Sequence, residues 1–197
     1  MENKAQKEIT RCGWCGSDPT YQQYHDTEWG KPVKNDQVLF EFLLLESAQA
    51  GLSWITILRK RSAYRAAFSA FDPKKVAQFS LLDVERLLAN KGIVRNRLKI
   101  ESAINNAKIF LQIQDEFGSF YSYLYSFLPH QKPIINHFSD LAEIPPHTPL
   151  SQRIAKDLKK RGMKFFGPTT CYAFMQAVGM VNDHLISCDF RSVCASI

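Results

Sequence analysis

Residues 156–179 read Lys156-Asp-Leu-Lys-Lys-Arg-Gly162-Met-Lys-Phe-Phe-Gly167-Pro-Thr-Thr-Cys-Tyr-Ala-Phe-Met-Gln-Ala-Val-Gly179. A basic helix stops at Gly162, a short turn reaches Gly167, and a second helix starts at once. Two readings are open. In a helix–hairpin–helix, the glycines let the backbone approach a partner closely. The second helix then presents free N–H groups and a positive dipole end, which hold a phosphate of a nucleic-acid backbone without reading its sequence. In an ordinary αα-hairpin the same residues only join two helices. Lys156, Lys159, Lys160, Arg161 and Lys164 add charge nearby. Two other basic clusters, Arg59-Lys-Arg61 with Arg65 and Lys91/Arg95/Arg97/Lys99, read first as solvated faces that can extend a footprint.

Helix punctuation continues outward in both directions, with no period-2 alternation between hairpin turns. Asp18-Pro19 opens a helix to about Trp29, Asn35 or Asp36 caps one running to Ala50, and Ser53 restarts one through Phe68. Ser80-Leu-Leu-Asp83 forms a capping box, residues 96–117 carry apolar groups at helical spacing, and residues 119–127 make a short aromatic helix. The proline-bearing stretch 130–148 reads as a long surface connection, after which Thr148-Pro149 caps a helix to Arg161. The fold class is all-α. Residues 1–10 are expected to be a disordered tail and 11–197 a single globular domain, with room for two helical lobes and a pocket between them.

The 197 residues include fourteen Phe, seven Tyr and three Trp, too many large apolar groups for a disordered chain. The net charge of +6 favours a polyanionic partner without requiring one. The start lacks the apolar core of a signal peptide, and the apolar run 38–45 is too short to span a bilayer. Cytoplasmic location, no membrane contact and a monomer are expected. Five cysteines split between the two ends argue against a secreted disulfide framework.

Three constellations carry chemistry. Cys12 and His25 near the start, with His184 and Cys188 near the end, offer two thiolates and two imidazoles, a tetrahedral set for zinc. Four protein ligands leave no open position, so such a metal is structural. The same residues also fit a buried thiol and ordinary histidines, and Cys12-Gly-Trp-Cys15 competes as half of a ribbon site or a redox pair. His184 and Cys188, four apart, share a face if they lie on a helical turn. Second, Glu46 ends a helix that is apolar nearly all round, with Glu41 on its remaining polar stripe. A buried carboxylate is a candidate acid, base or cation acceptor, and the alternative is a helix-end Glu paired with Lys or Arg. Third, Trp14, Tyr21, Tyr24, Trp29 and Trp54 can ring that carboxylate and favour a flat, cationic, nitrogenous ligand, or can simply pack the core.

Jointly these pieces resemble the type I 3-methyladenine DNA glycosylases of the helix–hairpin–helix superfamily. The matching strings are Arg11-Cys-Gly-Trp14, Asp18-Pro-Thr-Tyr21, Tyr24-His-Asp-Thr-Glu-Trp-Gly30 and Glu46-Ser-Ala-Gln-Ala-Gly-Leu-Ser-Trp-Ile55. Further on come Phe71-Asp-Pro73, Gly92-Ile93 with Arg95, Leu158-Lys-Lys-Arg-Gly162, Phe174-Met-Gln-Ala177 and Val181-Asn-Asp-His184. They are collinear from residue 11 to 188. The resemblance implies one structural zinc ion on Cys12, His25, His184 and Cys188. It implies that Glu46 and Tyr24 contact the excised base, with Trp54 stacking on it and Trp14 and Tyr21 lining the pocket. It also implies hydrolysis of the N-glycosidic bond of 3-methyladenine in double-stranded alkylated DNA, leaving an abasic site and releasing the free base. Gly162, Lys164, Gly167 and Thr169 are expected at the DNA, and Leu52 is expected to fill the gap left by a flipped base. Superfamily members with lyase activity carry a Lys two positions after the second hairpin glycine. Thr169 stands there, so a monofunctional hydrolase is expected. The superfamily's usual catalytic Asp follows the second hairpin helix, and Asp183, beside His184, is the nearest candidate; it is assigned no catalysis, since it can instead support the zinc shell or cap a turn.

Overall fold

The computed structural model describes residues 9–195. Of the expected tail, residues 1–8 lie outside the described residues. Thr10 donates its N–H to the Asp189 carboxylate (2.9 Å) and its carbonyl accepts the Asp189 N–H (3.0 Å), so the segments around residues 10 and 189 lie side by side.

The described residues are mostly helical. At the centre lies α2 (Asp36–Gln49), capped by the Asn35 side chain, with every residue from Leu39 to Ala48 buried. Its composition allows this: only Glu41, Glu46 and Ser47 interrupt the apolar residues from 38 to 48. Against it pack α3 (Trp54–Leu58), α7 (Arg97–Phe117), α8 (Phe120–Tyr125) and α10 (Pro168–Ala177). The remaining helices are α1 (Pro19–Thr27), α4 (Arg61–Ala67), α5 (Pro73–Val76), α6 (Leu81–Ala89), α9 (Pro149–Lys160) and α11 (Arg191–Ala195). Asp18, Ser80 and Thr148 each accept first-turn N–H groups, as their sequence positions predict, and Asp72 does the same for α5, where the sequence reading placed only the end of the preceding unit.

Three expectations are corrected. The helix read from Ser53 through Phe68 breaks at Arg59-Lys60, where α3 ends and α4 begins. Arg61, the first residue after the break, reaches Glu28 (2.7 Å) and Glu41 (2.7 Å). The stretch 130–148 is more than a surface connection. Within it β1 (Ile134–Ile135) pairs in parallel with β2 (Val181–Asn182), in register Ile134 to Val181, a small strand pair in an otherwise helical chain. Glu41 is not on a solvated stripe, being 3% exposed and held by Arg61 and Arg65. Arg61 and Arg65 are therefore committed to carboxylates, as Arg59 is to Asp18 and Arg97 to Glu85 and Glu101.

Gly179 closes α10 at φ 68°. A Cβ there would lie 2.3 Å from the Lys31 carbonyl carbon and the Pro32 nitrogen, so this crossing requires glycine. No helix among the described residues is long and apolar enough to cross a membrane.

Candidate functional site

Cys12 precedes a single 3-10 turn, His25 sits on α1, and His184 and Cys188 follow β2. The last two lie on a non-helical turn closed by the Cys188 N–H to the Leu185 carbonyl (2.9 Å), not on the helical turn expected from their spacing. Turn and helix alike bring residues four apart onto one side. All four ligand atoms are buried and lie within 4.8 Å of one another, so this cluster can hold a metal ion.

The outer nitrogen of each histidine is already committed. His25 Nδ1 faces Asp26 at 2.8 Å, and Asp26 is itself gripped by the Arg11 guanidinium at 2.8–3.0 Å. His184 Nε2 faces the Trp29 carbonyl at 3.2 Å. Both outer partners accept, so those nitrogens carry the protons and the inner ones, His25 Nε2 and His184 Nδ1, turn lone pairs toward the two sulfurs. Two sulfurs and two imidazole nitrogens form a closed tetrahedral donor set. Cys188 is held below the usual thiol range, chiefly by its hydrogen bond with Cys12 and then by those with His184 and His25. The competing Cys15 does not join the set, its Sγ turning to the Cys12 carbonyl (3.2 Å), and the nearby Cys194 Sγ turns to the Trp29 carbonyl (3.7 Å).

The segments bearing these ligands also build a cavity of about 360 Å³. Trp14, Tyr21, Tyr24, Trp29 and Trp54 line it together with Glu46, Gln49, Ala173 and Gln176. Trp14 sits at the hub, with ring centroids 5.0 Å from Tyr21, 6.3 Å from Tyr24 and 4.9 Å from Trp29. Tyr24 lies 5.6 Å from Trp54. Glu46 is 4% exposed, and its Oε2 has no hydrogen-bond partner, nor has the Trp54 indole N–H. With no cation beside it, burial alone pushes the Glu46 carboxyl up to about 8. Burial, reinforced by Glu46, likewise raises Tyr24 well above the ordinary phenol range, so its hydroxyl keeps its proton.

Between α9 and α10 the turn runs through Gly162 (φ 102°) to Gly167, which precedes Pro168 and offers no side-chain cap to α10. Lys164 on the turn and Thr169 in the first turn of α10 are exposed, whereas Arg161 is neutralised by Asp157 and Glu116. Helix α10 runs from this turn to the cavity wall at Ala173 and Gln176. Leu52 is 40% exposed in the loop joining α2 to α3, and Lys99 Nζ fixes the base of that loop through the Ala48 (2.8 Å) and Ala50 (2.6 Å) carbonyls.

The structure thus brings Glu46, Tyr24, Trp54, Trp14 and Tyr21 to one cavity and the four ligand residues to one cluster. Of the roles open to Asp183, contact with the histidines of the cluster is not the one its side chain takes. It receives Tyr172 Oη (2.6 Å), Gln176 Nε2 (2.7 Å) and Asn136 Nδ2 (2.6 Å) rather than a ligand histidine, whose carboxylate partner is Asp26. Sequence reasoning left Gln49, Gln176, Leu141 and Ile144 unassigned to the cavity. Gln49 was discoverable, one helical turn beyond Glu46. Leu141 and Ile144, within the proline-bearing connection, carried no signal.

A buried carboxyl without a partner, walled by five aromatic rings on a helical frame, defines a pocket protein for a flat, electron-poor heterocycle. Residues 14–192 match the methyladenine glycosylase family model. The DNA-3-methyladenine glycosylase of Haemophilus influenzae is 49% identical over 183 residues, covering 93% of this chain and 98% of that protein. The DNA-3-methyladenine glycosylase 1 of Escherichia coli is 51% identical over 180 residues, covering 91% and 96%. The structure of a 3-methyladenine DNA glycosylase I from Staphylococcus aureus, concerned with 3-methyladenine recognition, superposes with a TM-score of 0.89 at 38% identity, covering 93% and 97%. This chain belongs to the methyladenine glycosylase family and is a DNA glycosylase.

Proposed function

We propose that the chain excises 3-methyladenine from alkylated double-stranded DNA by hydrolysing its N-glycosidic bond, in the base-excision route of repair. The observation that carries this reading is Glu46, unpartnered and buried inside an aromatic cavity. Methylation at N3 makes the adenine of the nucleotide cationic. In the free protein the Glu46 carboxyl holds its proton near neutral pH, and a cationic ring beside it favours the ionised form, creating an ion pair that undamaged adenine cannot form. The rings of Trp14, Tyr21, Tyr24 and Trp54 add stacking and cation–π attraction for the same species.

The leaving group needs no strong acid. As the glycosidic bond breaks, its electron pair neutralises the base, and water adds to the sugar carbon and loses a proton. Glu46 stabilises the positive charge shared between ring and sugar while it exists. Thr169 offers no amine for a Schiff base, which supports a monofunctional hydrolase leaving an abasic site.

The turn 162–167 is the hairpin of a helix–hairpin–helix in this reading. Gly162, Lys164, Gly167 and Thr169 meet a phosphate there, and Leu52 enters the gap left by the flipped nucleotide. Residues 11–197 act as one monomeric domain in the cytoplasm. The metal held by Cys12, His25, His184 and Cys188 is zinc, which when bound supplies a structural link between the chain ends and no open coordination position.

Release of 3-methyladenine from methylated duplex DNA, measured by chromatography, tests the reading. Glu46→Ala should reduce release strongly. Salt-sensitive duplex binding with no base released at any enzyme concentration would reduce the protein to a binding module.

A further inference from the structure

Asn106 lies in the middle of α7 and is fully buried, yet it touches neither the cavity nor the metal cluster. A buried amide on the inner face of an amphipathic helix requires hydrogen-bond partners. Its partners are both main-chain groups of one hairpin residue: Asn106 Nδ2 donates to the Lys164 carbonyl (2.8 Å), and Asn106 Oδ1 accepts the Lys164 N–H (2.9 Å). Next to it, Asn105 Nδ2 donates to the Gly162 carbonyl (2.9 Å) and to Asn106 Oδ1 (3.3 Å). One helix therefore grips the turn at two points, in the manner of a rung of sheet made by a side chain.

The residue after the grip has an unusual backbone conformation. With Lys164 held by both main-chain groups, the following residue, Phe165, sits at φ 54°, an unusual conformation for an aromatic residue, with its side chain 38% exposed. On either side, Met163 and Phe166 are buried, and Phe166 packs edge-on against Phe174 of α10. The turn thus alternates: Met163 and Phe166 anchor inward, while Lys164 and Phe165 are displayed outward beside the free first turn of α10.

We propose that Asn106 is a positioning residue for DNA binding: through Lys164 it fixes the outward face of the turn, so that the Lys164 ammonium and the first amides of α10 converge on one backbone phosphate. The proposal rests on the hairpin reading of residues 162–167 and adds to it the residue that holds the hairpin in its phosphate-binding form.

Asn106→Leu keeps the volume but leaves the Lys164 N–H and carbonyl without partners. Its affinity for an undamaged short duplex should fall about tenfold, as loss of two buried main-chain bonds predicts. The slope of log affinity against log salt should become shallower by about 0.9 for each phosphate no longer neutralised. Affinity for free 3-methyladenine, read by tryptophan quenching, should not change, because the cavity is built from other residues. Asn106→Asp, which keeps the acceptor for the Lys164 N–H but loses the donor to its carbonyl, should weaken duplex binding in the same way and serves if the Leu variant does not fold. Duplex affinity and salt slope equal to the unmutated chain in either folded variant would overturn the assignment. So would a parallel loss of free-base binding, which would make Asn106 a general packing residue. If the unmutated chain binds duplex without salt dependence, the hairpin reading itself fails, whatever the variants do.

Discussion

Glu46→Gln should stabilise the protein as pH rises while impairing base release. In the unfolded chain this carboxyl titrates near its ordinary value of 4.5, whereas in the folded chain burial raises it to about 8. The folded state therefore favours the protonated form. Below pH 4.5 both states are protonated and the group has no effect. Between 4.5 and 8 the unfolded chain ionises and the folded chain does not, so stability falls with rising pH by about 1.4 kcal/mol per unit. The loss totals about 5 kcal/mol once pH passes 8, of which about 3 kcal/mol accrues between roughly pH 5.5 and 8. Glutamine does not titrate. The stability gap between variant and parent should widen by about 3 kcal/mol over that interval, or about 6–12 °C in melting temperature for a chain of this size.

Urea titrations of both proteins across the interval, at fixed zinc and ionic strength, measure the gap. Taking the difference cancels the titration of the metal ligands, which both proteins share. A gap that stays constant with pH would show that water reaches Glu46 and that the carboxyl ionises normally, refuting a selectivity that depends on its burial. In the same proteins, 3-methyladenine release by Glu46→Gln should fall by about a hundredfold at neutral pH, the rate equivalent of about 3 kcal/mol for an unpaired buried charge.

Asp26→Asn removes the carboxylate that orients His25, and metal affinity measured against a chelator should fall by about 10–100-fold with the four ligands intact. Lys99→Met frees the Ala48 and Ala50 carbonyls at the root of the Leu52 loop. It should lower single-turnover base release by about two- to fivefold, as loss of a cation at a helix C-terminus predicts, with free 3-methyladenine affinity unchanged in fluorescence titrations. Gly179→Ala forces a Cβ to 2.3 Å from the Lys31–Pro32 backbone at a left-handed φ, and should cost about 3 kcal/mol or more in urea unfolding.

Local physics was legible in the sequence, and long-range pairing was legible only where residue chemistry marked it, as in the Cys12, His25, His184 and Cys188 cluster. Asp18, Asn35, Ser80 and Thr148 cap the helices that their positions predict, because a cap depends on residues within one turn of it. Glu46 stood out because a charge in an apolar run needs a reason wherever the helix lies. The basic clusters gave no such signal because their partners are remote: Arg61 answers Glu28 and Glu41, 33 and 20 residues away. The strand pair is two residues long on each side, too short for any alternation to show. The break at Arg59-Lys60 carries no glycine or proline, so no local signal marks it. Asn106 was invisible for the same reason as Arg61, since its partners lie 58 residues downstream.

The metal cluster and the base cavity share a wall, which bears on why the chain ends are tied at this place and not elsewhere. Trp14 follows Cys12 by two residues, and Tyr24 immediately precedes His25. The Trp29 carbonyl accepts from His184 while its ring stands 4.6 Å from the His184 ring and lines the cavity. Three of the rings around Glu46 are thus positioned by segments whose neighbouring side chains converge on one point. Short segments near a chain end, such as the 3-10 turn at Gly13–Cys15, have little regular structure to hold an aromatic ring in place. A metal bound by Cys12, His25, His184 and Cys188 would cross-link them to residues 184–188 and supply the rigidity that neighbouring helices give Glu46 on α2. A carboxyl that gains its selectivity from dryness needs a wall that does not open, because water admitted beside Glu46 would lower its pKa toward the ordinary value and remove the contrast between charged and neutral purines.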